Sequence, residues 1–338
     1  MTDNVSSSPH PSELNRLYAL YNHGDLLGAE NFCRNLLKNY RGSAELSNML
    51  GVILAAQGKS EEALLVFKDT IKENPKYPRV HLDLGLLLSS IGQPSEAIDS
   101  FRRATELDPG NGDAQNNLGV MLQNQNHHEK ALPHLEKAII LNSNNSAAYF
   151  NCANSLKAVG KNEEALEKYN QAVRLQPSFP VAFNNRGNLL ESMGRNEDAK
   201  RSYSRAIELD RGYVRAYSNR GIVEKKLGNY PGALRDFSKA VELDPWQPNS
   251  PNQDENFKFR LYINLGDIHL YFKEFDKALS AYDRAGEIEP ANKDLLGFKS
   301  NAVAGMGDIE EALKLRQLSY GFISFSLSEG VSITHGST

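Results

Sequence analysis

The chain is 338 residues long and carries 38 basic and 42 acidic side chains, a formal net charge of −4. That balance argues against a general nucleic-acid binder, which shows a basic excess. Hydrophobic residues make up 40% and charged residues 24%, enough to bury a core, and no segment approaches the roughly 18 consecutive apolar residues of a membrane span.

Residues 1–9 are polar and serine-rich, without the basic and apolar regions of a signal peptide, and are expected to be disordered. From there on one alanine recurs: Ala29, Ala63, Ala97, Ala131, Ala165, Ala199 and Ala233, each step 34 residues. The next step, to Ala278, is 45 residues, and the last, to Ala312, is 34 again, so 11 residues are inserted between the seventh and eighth units. Fixed-period self-similarity of this length is the mark of a repeat architecture. The expected units span 10–43, 44–77, 78–111, 112–145, 146–179, 180–213, 214–247, 259–292 and 293–319.

Other positions keep the same register. Twelve residues before the alanine stands a small residue: Gly51, Gly85, Gly119, Ala153, Gly187, Gly221 and Gly266. Four after it stands an aromatic: Phe67, Phe101, Tyr169, Tyr203, Phe237 and Tyr282. A glycine separates the two halves in most units (Gly24, Gly58, Gly92, Gly160, Gly194, Gly228), and a proline closes several (Pro75, Pro109, Pro177, Pro245, Pro290). The apolar spacing in each half is helical, so each unit is expected to be an antiparallel helix pair. A glycine inside a helix costs about 1 kcal/mol against alanine, so its recurrence implies a close packing contact. The proline cannot continue the second helix. The first and ninth units are degenerate: Leu17 and Ser300 replace the small residue, and Arg316 replaces the aromatic, as terminal repeats do when one face lacks a neighbour.

This pattern resembles the tetratricopeptide repeat family, whose signature runs Trp-x2-Leu-Gly-x2-Tyr, Ala-x3-Phe, Pro; Asn116-Asn117-Leu118-Gly119 followed by Ala131 is one match. The resemblance implies an all-α, right-handed superhelical solenoid of about nine helix-turn-helix repeats, with the first helices lining an inner groove. It further implies that the residue two before each small position faces that groove: Asn15, Met49, Asp83, Asn117, Asn151, Asn185, Asn219 and Asn264. A carboxamide both donates and accepts, so such a series can hold the backbone of an extended peptide. It is similar to the series in the repeat region of O-linked N-acetylglucosamine transferases and of kinesin light chains. An alternative is that asparagine at this place only solvates the helix.

Neighbouring groove positions would set specificity. Leu82, Leu86, Val120 and Phe150 form an expected apolar stretch, and Arg215, Lys225, Lys226 and Arg260 an expected basic region, which together imply a ligand with an apolar and an acidic segment. Arg186 and Arg220 either join the basic region or bury their stems between helices. Asn154 and Asn188 stand where the family's chaperone-tail binders carry a clamp asparagine, but Phe150 and Asn184 occupy the clamp lysine's place, which disfavours that role.

No chemistry assembles. Gly58-Lys59-Ser60 imitates the end of a phosphate-binding loop, yet Ile53 stands where the loop needs glycine, and the segment reads as a turn between helices. Cys33 and Cys152 have no cysteine or histidine at metal-ligand spacing and are expected to be reduced core residues. His127 and His128 splay apart on a helix and fit a metal poorly. The insertion, 248–258, is expected to be a surface loop, and the tail, 320–338, alternates like a strand without a partner strand. The resulting expectation is a cytoplasmic protein-interaction scaffold that binds an extended peptide, is no enzyme, and needs no cofactor, metal, nucleic acid or membrane insertion. The alternative is a substrate-recruiting arm of a glycosyl- or sulfotransferase, to be told apart by a catalytic domain beyond residue 338 or encoded separately.

Overall fold

A computed structural model describes residues 9–245 and 254–320, together with the backbone of 322–326 and 330–334. The chain divides into two compact units, Met1–Gln176 and Pro177–Thr338. Unit 1 holds α1 (Pro11–Asn22), α2 (Leu26–Asn39), α3 (Ala44–Ala56), α4 (Ser60–Glu73), α5 (Pro78–Ser90), α6 (Pro94–Leu107), α7 (Gly112–Asn124), α8 (His128–Leu141), α9 (Ser146–Ala158) and α10 (Asn162–Leu175). Unit 2 holds α11 (Pro180–Ser192), α12 (Asn196–Leu209), α13 (Val214–Lys226), α14 (Tyr230–Leu243), α15 (Glu255–Tyr271), α16 (Phe275–Ile288), α17 (Asp294–Gly305) and α18 (Ile309–Tyr320). Within each unit consecutive helices pair into hairpins, and each hairpin packs on the next, as an all-α repeat fold requires.

Three local devices recur among the hairpins. Most first helices open on a side-chain cap or a proline: Ser43, Asn111 and Asn145 accept from backbone N–H groups, while Pro78 and Pro180 begin α5 and α11; α13 and α17 have neither. The turn between the helices then needs one left-handed residue. Glycine fills it at 24, 58, 92, 160, 194, 228 and 307, with φ between 74° and 94°. At α3 the Gly58 N–H donates to Ala55 O at 3.0 Å and the Lys59 N–H to Leu54 O at 2.9 Å, which satisfies two end carbonyls. In the fourth and eighth hairpins the same register position is Asn126 (φ 59°) and Lys273 (φ 60°).

The third device is the contact that brings the two helices together. A Cβ placed on Gly51 would lie 2.4 Å from the Phe67 ring; the equivalent distances are 2.6 Å for Gly85 to Phe101, 2.5 Å for Gly187 to Tyr203 and 2.4 Å for Gly266 to Tyr282. The ring therefore occupies the space of a missing side chain. The recurring alanines Ala29, Ala63, Ala97, Ala131, Ala165, Ala199, Ala233 and Ala278 are fully buried beside it.

The ends and the insertion depart from expectation. Residues 1–8 lie outside the described residues, but Pro9 is buried and His10 caps α1, reciprocated by Glu13. Of the expected loop 248–258, residues 248–253 lie outside the described residues, and Glu255–Lys258 are instead the first turn of α15. Asp254 caps that helix, accepting from the Phe257 N–H at 3.0 Å. Lys258 is buried, with its Nζ 2.6 Å from an Asp244 carboxylate oxygen, so this lysine is packed structure. The strand-like tail does have a partner: Phe322–Ser326 (β1) pairs antiparallel with Gly330–Thr334 (β2), Ser324 opposite Ser332.

The left-handed turn yields a signed prediction. A non-glycine residue there costs roughly 1–2 kcal/mol. Lys273→Gly is expected to raise unfolding stability by about 1 kcal/mol and Gly194→Ala to lower it by about the same or more, read from denaturant unfolding. Shifts of one sign in both variants would show that the turn is not the controlling feature.

Candidate functional site

The position just after the small residue is governed by the ring it packs on. Buried tyrosine must place its hydroxyl, and each tyrosine of this series finds an acceptor there. Tyr169 donates to Asn154 Oδ1, Tyr203 to Asn188 Oδ1 at 2.8 Å, and Tyr282 to Asp267 Oδ1 at 3.0 Å. Burial raises the pKa of the Tyr203 and Tyr282 hydroxyls, with the Glu191 and Asp267 carboxylates adding to it, so both stay protonated donors. Where the ring is phenylalanine, the same position is apolar: Val52 for Phe67, Leu86 for Phe101, Ile222 for Phe237. In the fourth hairpin Val120 accompanies Leu135, and in the ninth Arg316 donates to Asn301 Oδ1 at 2.8 Å. Asn154 and Asn188 therefore serve the tyrosines within their own hairpins, and Leu86 and Val120 are their apolar counterparts.

The asparagine series divides into two groups. Three polar pairs, each 35 residues apart, tie one first helix to the next. Asn48 Nδ2 donates to Asp83 Oδ2 at 2.7 Å, Asn151 Nδ2 to Asn116 Oδ1 at 3.1 Å, and Asn219 Nδ2 to Asn184 Oδ1 at 3.0 Å. Asn219 Nδ2 also reaches Asn188 Oδ1 at 2.9 Å. These clasps employ Asp83, Asn151 and Asn219 between hairpins, so part of their hydrogen-bonding capacity is committed within the fold. Asn117 differs: the residue 35 before it is Leu82, which cannot pair with it, and the half-buried Asn117 side chain makes no hydrogen bond among the described residues. Asn185 accepts from Asn184 Nδ2 at 3.4 Å, and Asn264 Nδ2 donates to its own helix at Arg260 O, 2.9 Å.

The expected basic region is mostly balanced by acids. Arg215 pairs with Asp254 at 2.6 Å and lies 4.8 Å over the Phe257 ring; Lys225 pairs with Asp267 at 2.9 Å and Lys226 with Glu191 at 2.7 Å. Arg220 grips Asp236 through two bonds of 2.7 Å. Only Arg260 of the expected set is exposed without a side-chain partner among the described residues. The apolar stretch is similarly divided: Leu82 is buried and Phe150 packs 6.1 Å from the Tyr169 ring, while Leu86 is exposed.

Unit 1 contains a site that the repeat pattern does not announce. A cleft of about 620 Å³ opens on α1, α3 and α5 and is bordered by Tyr18, Tyr21, Glu45, Asn48, Tyr77 and Arg79. Met49 and Asp83, the two non-asparagine members of the series, also line it, so the cleft lies on the face the series marks. Arg79 Nε donates to Asp83 Oδ2 at 3.0 Å, and the Tyr18 hydroxyl donates to Glu45 Oε1 at 2.9 Å. An adjoining, more apolar hollow of about 260 Å³ shares Tyr21, Val52 and Asp83 with it and reaches Phe67 and Leu86.

The reactive side chains are otherwise absorbed by packing. Lys59 holds Glu30 at 2.9 Å, and this bond helps drive the Glu30 carboxyl down to about 2. Cys33 and Cys152 are free and fully buried, and burial raises their thiols to about 12 and about 11. Among the described residues no group of three or more His, Cys, Asp or Glu side chains could hold a metal ion, and no helix is long and apolar enough to cross a membrane.

Models described as tetratricopeptide repeat match residues 14–78, 54–115, 100–132, 180–213, 214–246 and 259–292, and one described as TPR repeat matches 153–194. The chain belongs to the tetratricopeptide repeat family. Its fold is similar to that of a chain of the APC/C hetero-tetramer Cut9-Hcn1 (TM-score 0.56, 16% identity, 89% of this chain and 57% of that one). It is also similar to PilF of Pseudomonas aeruginosa (0.54, 20%, 60% and 93%) and to a tetratricopeptide repeat protein of Parabacteroides merdae (0.52, 18%, 76% and 97%). At these identities the likeness is one of fold. No curated protein matches the sequence.

The tyrosine–asparagine pairing of this tetratricopeptide chain can be tested by a double-mutant cycle. Asn154→Leu alone strands a buried hydroxyl, a loss of about 1–3 kcal/mol. Asn154→Leu with Tyr169→Phe recreates the pairing of the phenylalanine hairpins and should recover most of it, seen as coupling in urea unfolding. Simply additive losses would contradict the pairing.

Proposed function

We propose that this tetratricopeptide protein is a non-catalytic, cytosolic interaction scaffold that lays an extended peptide along the first-helix face of unit 1. The observation that carries the reading is the cleft on α1, α3 and α5. Its volume of about 620 Å³ lies within the range of about 300–1,000 Å³ typical of ligand sites. Side chains from three successive hairpins border it.

Asn117 extends the same register position one hairpin further. With its carboxamide uncommitted, it can donate to and accept from a peptide amide. The likeness of the asparagine series to the repeats of O-linked N-acetylglucosamine transferases supports the same use of the face. No observation favours the transferase-arm alternative, and Arg215, Lys225 and Lys226, being matched by acids, give little support to an acidic segment in the ligand. Buried free thiols suit a reducing compartment.

The test pairs binding with stability. A peptide selected from a random dodecapeptide library on the full chain is titrated by calorimetry into wild type, Asn117→Ala and Asn151→Ala. Asn117→Ala is expected to weaken binding three- to tenfold, since a net hydrogen bond contributes about 0.5–1.5 kcal/mol, with no fall in melting temperature because alanine favours helix. Asn151→Ala should instead lower the melting temperature through its lost clasp. Failure to select any peptide, or unchanged affinity in Asn117→Ala, would move function off this face.

A further inference from the structure

The cleft on α1, α3 and α5 has a chemical character of its own. Its border carries three carboxylates, Glu45, Asp83 and Asp108, against one guanidinium, Arg79. Arg79 is already held by Asp83 at 3.0 Å, and Asp113 also acts on its charge. Glu45 is half-buried, accepts only from the Tyr18 hydroxyl, and has no cationic partner among the described residues. Three tyrosines, Tyr18, Tyr21 and Tyr77, also line the cleft. Burial, with the Glu45 carboxylate adding to it, pushes the Tyr18 hydroxyl up to about 12.

A second, independent feature is Asn48, which lines the cleft and is only 5% exposed. Its Nδ2 donates to the Asp83 carboxylate at 2.7 Å, and this fixes the amide, because the opposite orientation would set oxygen against oxygen. Its Oδ1 is thereby turned away from Asp83, and it has no hydrogen-bond partner. A buried acceptor without a donor is costly and rare in folded proteins. The cleft thus presents an unpaired carboxylate and aromatic faces, both of which attract an N–H-bearing cation, while the Asn48 oxygen lies shielded in its wall.

We propose that this cleft is a subsite for a lysine or arginine side chain of the bound peptide, whose cationic head pairs with Glu45 beside the tyrosine rings. The inference rests on the scaffold reading and adds to it the residue class that the partner must carry. An acidic side chain drawn to Arg79 is the opposing possibility. It is disfavoured because Asp83 already neutralises Arg79 and an incoming carboxylate would face Glu45 and Asp108.

The experiment uses peptides selected from a random dodecapeptide library on the full chain. Enrichment of lysine or arginine at one fixed position is expected. A synthetic selected peptide should bind at least tenfold more weakly when that lysine is acetylated, and Glu45→Gln should abolish the difference between the two peptides while keeping the melting temperature. Tyr18→Leu, which leaves Glu45 in place, should also weaken the unmodified peptide more than the acetylated one, and it serves as the deciding variant should Glu45→Gln fail to fold. Peptides enriched in acidic residues, or in no charge at a fixed position, would overturn the inference while leaving the scaffold reading intact. So would a Glu45→Gln protein that still prefers the unmodified lysine. A library yielding no binder would overturn the scaffold reading, and the subsite with it.

Discussion

The seating of one large side chain on a bare stretch of helix is the constraint from which the rest follows. In five hairpins a ring from the second helix takes up the space a side chain would fill at a glycine of the first (Gly51, Gly85, Gly187, Gly221 and Gly266), close enough that a Cβ would stand 2.4–2.7 Å from ring atoms. The two helices approach closely at that contact, and the neighbouring first-helix positions are placed relative to it. Where the ring is tyrosine, its hydroxyl reaches the next residue of the first helix and dictates an asparagine or aspartate; where it is phenylalanine, that residue is free to be apolar. The chemistry of a whole row of first-helix positions is settled by packing before any ligand is considered.

The same first helices then divide their remaining polar groups between stacking and recognition. Asn48 with Asp83, Asn116 with Asn151, and Asn184 with Asn219 join neighbouring hairpins by side-chain hydrogen bonds. Each shields a polar group that would be expensive to bury unpaired. Leu82 interrupts this series and leaves Asn117 open. The first three hairpins leave more: an unmatched carboxylate and an unmatched amide oxygen beside three tyrosines. A repeat fold that spends most of its asparagines on itself can still bind at the few places where the pairing fails.

The 34-residue register was legible in the sequence because it rests on residue types with few substitutes. Glycine or alanine is required where a ring sits, and a left-handed turn favours glycine. The turns at Asn126 and Lys273 escaped the pattern because asparagine tolerates that backbone and a lysine can be forced into it. The polar pairs were hidden for a different reason: they join position three before one small residue to position two before the next, an offset that has meaning only once the hairpins are stacked. The cleft was missed because it involves Tyr18, Tyr21 and Tyr77, none of them signature positions, in the degenerate first hairpin and at the entry to the third. The start of α15 was misjudged because Glu255–Lys258 is a polar run next to a proline-rich stretch, and nothing local shows that Lys258 is buried against Asp244.

Side-chain carboxamide NMR measures this allocation most directly. In a protein labelled with nitrogen-15 and assigned at its asparagines, a saturating peptide is added and the shifts of the Asn117, Asn151 and Asn219 side-chain amides are followed. The account predicts a large change at Asn117, which gains partners, and nearly unchanged signals at Asn151 and Asn219, which keep theirs. Equal movement of all three, or movement of Asn151 and Asn219 with Asn117 still, would contradict the division of the series into stacking and binding members.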